Sequence, residues 1–123
     1  MVARAPVAQG NVYLVMLDPT RGSEIRKTRP CLVVSPDEIN QHLRTVIVAP
    51  MTGGGGAYPW RVPCRFRRKS GFVVVDQVRT VDRSRLTRRL GRLRAETVAA
   101  VLRTLQDMFA DTGSDTGGGS VIH

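Results

Sequence analysis

The sequence predicts an α+β, mainly β domain: a small barrel of short strands followed by one C-terminal helix. Short runs rich in Val, Ile, Tyr and Phe, separated by Gly, Pro and Asp, fill most of residues 11–93. The last apolar pattern, at 95–109, has helical spacing. Because the strands precede the helix instead of alternating with helices, a parallel α/β fold is excluded.

The chain has 123 residues, which is the length of one domain. We place this domain at 1–110. Residues 111–123, "DTGSDTGGGSVIH", combine Gly, Ser, Thr and Asp and could not form a core, so we expect a disordered tail there.

Each predicted strand is a short apolar run bounded by turn residues. Glycines at 53–56 predict a mobile loop, because they offer no side chains to pack. Pro63 marks an edge or bulged strand, and residues 72–81 form the longest predicted strand. The strands are expected at 11–17, 31–35, 45–50, 60–66, 72–81 and 87–93.

Helical segments are predicted from caps and periodicity. Ser35 followed by Pro36 favours a helical turn with Ser35 as its N-cap, and Asp82 is expected to cap a short turn at 82–86. The C-terminal helix at 95–109 is predicted from one apolar stripe: Val98, Val101, Leu102, Leu105, Met108 and Phe109.

The charge of the chain indicates an acidic partner. The net charge is +9, and because Asp111 and Asp115 lie in the tail, residues 1–110 carry +11. Such an excess favours nucleic acid or an acidic protein. Six arginines fall within 83–94, and they form either a nucleic-acid surface or a solvated face whose aliphatic stems cover the core.

Other features bear on location and cofactors. Cys31 and Cys64 lie in separate apolar runs without metal-ligand spacing, which is typical of buried free thiols in a reducing cytosol. No apolar run approaches the length of a membrane span. We expect a soluble, cytoplasmic protein that needs no metal or other cofactor.

The sequence lacks the usual catalytic side chains for hydrolysis but is rich in phosphate-binding ones. Of the two histidines, His42 is expected on the surface and His123 in the tail, so neither a His pair nor a Ser-His-Asp set is available. Arg offers a planar fork that matches two phosphate oxygens. RNA supplies its own nucleophile, the 2′-OH, so positioning and charge stabilisation could suffice.

Two segments carry the candidate residues. The loop "RGSEIRKTRP" at 21–30 holds four cations, one carboxylate and two hydroxyls, and Pro30 biases Arg29 towards an extended backbone. After the glycine loop, Tyr58 and Trp60 lie next to Arg61 in a pattern suited to base stacking. Trp60 could equally be a core residue at the start of an amphipathic strand.

Residues 9–109 resemble the MazF/PemK family of toxin endoribonucleases from type II toxin–antitoxin systems. The resemblance rests on "GNVYLVMLDPTRGSEIRKTRPCLVVSP", on "IVAPMT" and on "VVVDQVRTVDRSRL" before the helix. It implies an SH3-like barrel of the CcdB/MazF type with a C-terminal helix, a homodimer, and metal-independent cleavage of single-stranded RNA. It also implies neutralisation by a MazE-like antitoxin with an acidic disordered segment.

The resemblance assigns roles to individual residues. It places Arg29 and Thr52 as the catalytic pair, with Ser23, Glu24 and Gln77 at matching site positions. Since Arg is hard to deprotonate, we expect Arg29 to clamp the phosphate and Glu24, or the phosphate itself, to accept the 2′-OH proton. The substrate-binding residues are expected to be Arg21, Ser23, Arg26, Lys27, Tyr58, Trp60, Arg61, Gln77 and Arg79.

Two other functions fit the same fold class. One is a CcdB-like protein that poisons gyrase without cutting RNA, and the other is a non-catalytic nucleic-acid-binding module. Residues 25–27, Ile-Arg-Lys, stand where many members of the family carry small residues, so the loop is more basic and its RNA target sequence is open. Without the resemblance, a surface ion pair with Glu24 would be the simpler interpretation of Arg29.

Overall fold

The computed structural model describes residues 6–17 and 28–113, and these form one curled antiparallel sheet with a C-terminal helix. The strands are β1 (Asn11–Met16), β2 (Thr28–Val33), β3 (Thr45–Thr52), β4 (Arg61–Phe66), β5 (Lys69–Val74), β6 (Arg79–Asp82) and β7 (Leu86–Arg92). The helices are α1 (Asp37–His42) and α2 (Ala95–Met108), with 3₁₀ turns at Val75–Gln77 and Arg83–Arg85.

Strand β3 is the hub of the sheet. The strand order is β4-β5-β3-β2-β1-β7, and β6 also pairs with β3. On one side of β3, residues 48–50 pair with β2; on the other, residues 45–48 pair with β6 and residues 51–52 with β5. The sheet can therefore curl about β3, as the predicted barrel class requires.

Two apolar clusters lie on opposite faces of the sheet, because successive strand residues point in opposite directions. On β2, Leu32 belongs to the first cluster and Cys31 and Val33 belong to the second. Helix α2 covers the first cluster through Val98, Val101, Leu102, Leu105 and Met108.

The predicted strand at 72–81 is wrong as a single element. The chain leaves β5 after Val74, passes through the 3₁₀ turn and re-enters the sheet as β6 at Arg79. The break arises because β5 and β6 pair with different parts of β3: β5 pairs with residues 51–52, and β6 pairs with residues 45–48. Gln77 consequently lies in the turn and not on a strand.

Two smaller predictions are also corrected. Pro36, not Ser35, is the N-cap of α1, because the Ser35 hydroxyl is occupied by Asn40 and by the backbone of Ile47. Phe109 follows α2 and is 74% exposed, so it does not belong to the buried stripe. The Asp82 cap is confirmed: its carboxylate accepts the Ser84 N–H at 2.9 Å. The two hydrogen bonds from Ser84 lower the pKa of Asp82.

No helix in the described ranges is long and apolar enough to cross a membrane.

A buried polar network ties α1 to the sheet, and its loss should destabilise the fold. Asn40 is 0% exposed, and its Nδ2 donates to the Ser35 carbonyl at 2.9 Å. The Ser35 Oγ in turn accepts the Ile47 N–H at 3.0 Å. We expect Asn40→Ala to lower the free energy of unfolding by about 1–3 kcal/mol, because buried partners lose their hydrogen bonds.

Urea denaturation measures this change. Gln41→Ala, at the exposed neighbouring position, serves as the control and should change the free energy of unfolding by less than about 0.5 kcal/mol. Equal effects of the two substitutions would show that the network does not stabilise the fold.

Candidate active site

The β2–β3 register brings Arg29 and Thr52 to the same end of the sheet. The observed pairs are Cys31 with Pro50, Leu32 with Ala49 and Val33 with Val48. Continued by two residues, this register sets Arg29 opposite Thr52. The Arg29 guanidinium also reaches the end of β3, since its Nη1 makes a long hydrogen bond of 3.4 Å to the carbonyl of Met51.

Thr52 is the last residue of β3 and is half-buried. Its Oγ1 accepts the backbone N–H of Gly54 at 3.2 Å. A hydroxyl group accepts through lone pairs and keeps one proton to donate. The Thr52 O–H can therefore donate to a ligand oxygen while the Gly54 contact holds its oxygen in place.

Gly71 of β5 allows the backbone of Thr52 to come unusually close. A Cβ at position 71 would overlap the carbonyl oxygen of Thr52 and crowd the Cα of Gly53. The adjacent pair, Thr52 with Phe72, belongs to the β3–β5 ladder. The absence of a side chain at 71 thus sets the position of Thr52. Nothing in the sequence around Gly71 signals this contact.

Cys31 lies beneath the site and carries no charge. Burial raises the pKa of its thiol to about 12, although the positive charges of Arg79 and Arg29 act in the opposite direction. Its Sγ lies 3.6 Å from the carbonyl oxygen of Arg29. At neutral pH the group is a thiol, so it packs as an apolar side chain and does not serve as a nucleophile.

Arg79 belongs to the same region of the sheet. It is the first residue of β6, half-buried, and pairs with Val48 of β3. Arg29 and Arg79 both act electrostatically on Cys31. The guanidiniums of Arg29 and Arg79 therefore both lie near Cys31.

Tyr58 and Arg61 form a second cluster behind the glycine loop. The Arg61 guanidinium lies 4.4 Å from the centre of the Tyr58 ring, within cation–π range. Gly55, at φ +84°, lies close to the same guanidinium, and a Cβ there would overlap Nη1. The Arg61 Nε is buried and has no hydrogen-bond partner among the described residues. This stack fixes part of the loop that follows Thr52.

The remaining predicted residues are more dispersed. Trp60 is 38% exposed and Tyr58 42% exposed, so Trp60 is not fully buried in the core. Gln77 is exposed in its 3₁₀ turn. Five predicted residues lie outside the described residues: Arg21, Ser23, Glu24, Arg26 and Lys27.

The described parts of the chain, 6–17 and 28–113, contain no group of three or more His, Cys, Asp or Glu side chains placed to hold a metal ion. The groups that the described site presents to a ligand are guanidinium, hydroxyl and backbone groups.

Comparison with known proteins identifies the family. Residues 8–109 match the family described as PemK-like, MazF-like toxin of type II toxin–antitoxin systems. The chain belongs to this family. It is 33% identical to the endoribonuclease PemK of Escherichia coli over 121 residues, covering 86% of this chain and 84% of that protein.

Solved structures of the PemK/MazF family share the fold. A crystal structure of MazF from Deinococcus radiodurans matches with a TM-score of 0.74 and 28% identity, covering 85% of this chain and 97% of that one. A MazE–MazF structure from the same organism matches with a TM-score of 0.72 and 28% identity, covering 85% and 96%. The predicted fold class, a small β-barrel with a C-terminal helix, is confirmed.

The close approach at Gly71 predicts a position-specific cost. Gly71→Ala should lower the free energy of unfolding by about 1–3 kcal/mol, because the new methyl group must displace the Thr52 backbone. Gly54→Ala is the matched control, since a Cβ at position 54 would meet nothing within 4 Å. We expect the Gly54 substitution to be neutral or slightly stabilising. Thermal and urea unfolding of both variants tests this, and a neutral Gly71→Ala would contradict the proposed packing.

Proposed function

We propose that this chain is a toxin endoribonuclease that cuts single-stranded RNA, messenger RNA included, at a short sequence without a metal ion. The observation that carries the proposal is the long hydrogen bond from the Arg29 guanidinium to the carbonyl of Met51, the residue before Thr52 at the end of β3. The 33% identity to the endoribonuclease PemK supports it.

The reaction uses the nucleophile that RNA already holds. The 2′-oxygen attacks the adjacent phosphorus, an O2′–P bond forms, and the P–O5′ bond breaks. The products are a 2′,3′-cyclic phosphate and a 5′-hydroxyl end. The 2′-OH proton leaves to an acceptor, and the departing 5′ oxygen takes a proton from water, assisted by a hydrogen bond from Arg29.

Arg29 and Thr52 would stabilise the charge that develops on phosphorus. The guanidinium donates two parallel hydrogen bonds to non-bridging oxygens, and the Thr52 O–H donates a third. Arg29 is not the base, because a guanidinium stays protonated at any physiological pH. We assign proton acceptance to Glu24 or to the phosphate itself; Glu24 lies outside the described residues, and its assignment rests on the family resemblance.

The other predicted contacts fit a single strand of RNA. Tyr58, Trp60 and Arg61 offer exposed aromatic faces beside a cation, which suits stacking of unpaired bases. Arg79 adds charge near Arg29. Gln77 is exposed two residues before Arg79 and is assigned to base contacts. The loop residues Arg21, Ser23, Arg26 and Lys27 are assigned to the RNA backbone and to sequence choice.

We extend the proposal to the assembly and its regulation. The toxin domain spans 1–110, in keeping with the family match at 8–109, and the tail 111–123 lies beyond it. The chain acts as a homodimer in the cytoplasm, where a MazE-like antitoxin covers the basic site with an acidic segment. A MazE–MazF structure among its structural relatives and the net charge of +9 support this partner.

End-mapping of a long RNA treated with the purified protein in EDTA tests the reaction. We expect discrete cleavage at a recurring short sequence, with 5′-hydroxyl ends that require phosphorylation before ligation. Ends that carry 5′-phosphate, or cleavage that appears only when Mg²⁺ is added, would contradict 2′-OH attack. Intact RNA together with inhibition of gyrase would favour the CcdB-like function instead.

Substitution of the catalytic pair tests the roles of the residues. Arg29→Ala should reduce the cleavage rate by at least about 100-fold, because a charge-stabilising group in the transition state is lost. Thr52→Val keeps the shape of the side chain and should reduce the rate by a smaller factor, on the order of 10–100. The measurement is the single-turnover rate on an oligonucleotide that contains the mapped site.

Arg103→Ala is the control, since Arg103 is an exposed cation on α2. It removes the same charge and should leave the rate within about twofold. An Arg29→Ala rate within a few-fold of wild type would exclude Arg29 from the chemistry.

A further inference from the structure

Half of the β4–β5 hairpin extends beyond the strand that anchors it. Among the described residues, β5 pairs with β3 only where residues 72–73 meet residues 51–52, and β3 ends at Thr52. Residues 69–71 of β5 therefore have no partner on β3, and on their other side they pair with residues 64–66 of β4. Backbone pairing thus connects only the base of this hairpin to the rest of the sheet.

The far end of the hairpin contacts β7, which stands at the opposite end of the strand order from β4. Among the described residues β4 and β7 form no ladder, so the curled sheet has an open seam between them. Arg67 Nη2 crosses this seam and donates to the carbonyl oxygen of Leu90. Leu90 is the extra residue of a bulge, because Arg89 and Gly91 pair with successive residues of β1. A residue that has no partner on β1 thus receives a hydrogen bond from the hairpin.

Phe66 closes the same seam by apolar contact. A Cβ at position 91 would lie 3.2 Å from the Phe66 Cζ, so the ring lies directly against the backbone of Gly91. Phe66 and Leu90 both pack against the first apolar cluster, which α2 covers. The Arg67 guanidinium lies 5.6 Å from the centre of the Phe66 ring. One charged hydrogen bond and one apolar contact therefore join the hairpin to β7 at this corner.

The turn at the tip of the hairpin holds Arg67 in a strained backbone conformation. Phe66 pairs with Lys69, so the turn has two residues, Arg67 at φ +53° and Arg68 at φ +67°. Two-residue turns with positive φ favour Asn-Gly, because a residue with a larger side chain is strained there. Glycine at position 67 would relieve this strain but could not reach Leu90. Retained strain often marks a functional role, and here the side chain supplies the seam contact.

The position of the hairpin bears directly on Thr52. Gly71 lies against the Thr52 carbonyl so closely that no Cβ fits between them. The Phe66–Lys69 pair lies two residues further along the hairpin than Gly71, a distance of about 7 Å. A hairpin released from β7 can pivot about the two β3–β5 pairs. Gly71, adjacent to these pairs, then moves relative to Thr52.

We infer that Arg67 is a positioning residue, which latches the β4–β5 hairpin onto β7 and thereby holds Thr52 in place through Gly71. Release of the latch moves the hairpin as a unit, weakens the β3–β5 pairs and slows cleavage without lowering the affinity for RNA. The effect on cleavage rests on the proposed function, whereas the latch is tested on the free protein.

Amide hydrogen exchange of the free protein tests the latch. Arg67→Ala removes the seam contact and keeps a Cβ, so the turn stays strained. We expect exchange at residues 51–52 and 72–73 to accelerate about tenfold, while residues 31–33 of the β2–β3 ladder keep their wild-type rates. Arg68→Ala is the matched control, since it removes the same charge from an adjacent exposed residue with the same left-handed backbone. Its exchange rates should stay within about twofold of wild type.

Single-turnover cleavage of an oligonucleotide that contains the mapped site tests the effect on Thr52. Arg67→Ala should lower the rate at saturating protein about fivefold to tenfold and leave the half-saturating protein concentration unchanged. Arg67→Lys keeps a charged donor and should recover most of the rate. Phe66→Leu leaves every charge in place but removes the ring that lies against Gly91. This variant should reproduce both the faster exchange and the slower cleavage.

The outcomes separate the latch from direct RNA contact and from the proposed function. Equal exchange in Arg67→Ala and Arg68→Ala would refute the latch, and a raised half-saturating concentration alongside it would show that Arg67 binds RNA directly. Faster exchange that includes residues 31–33 would indicate global destabilisation and would also refute a local latch. Faster local exchange with an unchanged cleavage rate would refute the positioning role. Faster local exchange in a protein whose wild type cuts no RNA would support the latch and overturn the proposed function.

Discussion

The site depends on the register between β2 and β3. Three observed pairs fix this register, from Cys31 with Pro50 to Val33 with Val48. A slip of one residue would turn Arg29 to the other face of the sheet and bury a guanidinium where α2 packs. Both strands contribute buried side chains to a cluster on each face, and this packing holds the register in place. Core packing and the geometry of the proposed site are therefore set by the same pairing.

The hub position of β3 extends this constraint to the rest of the domain. Its last two residues pair with β5 while its first four pair with β6. Thr52 thus belongs to the short segment at the end of β3 that pairs with β5 and not with β6. Gly71 permits the close approach at this point, and the Tyr58–Arg61 stack fixes the loop that follows. Each contact restrains the backbone around Thr52 without touching its hydroxyl.

The sequence predicted the elements whose signals are local. The helix α2, the Asp82-capped turn and strands β1 and β4 follow from periodicity or from side-chain chemistry within a few residues. The break at 75–77 was not predictable, because the pairing of β3 with two partners causes it. The prediction that Ser35 caps α1 was wrong for a similar reason. The Ser35 hydroxyl instead accepts the backbone N–H of Ile47, which is distant in sequence. Arg29 and Thr52 came from family resemblance, whereas Gly71 carries no sequence signal of its contact.

The electrostatics of the site follow from the same arrangement. Arg29 and Arg79 lie close enough to Cys31 to favour its thiolate, yet burial dominates and the thiol stays neutral. The two guanidiniums thus gain no compensating anion from Cys31. A phosphate that enters above them would meet donors already oriented by the sheet, so little reorganisation opposes charge stabilisation. Because Cys31 is neutral, it does not offset the positive charges of Arg29 and Arg79.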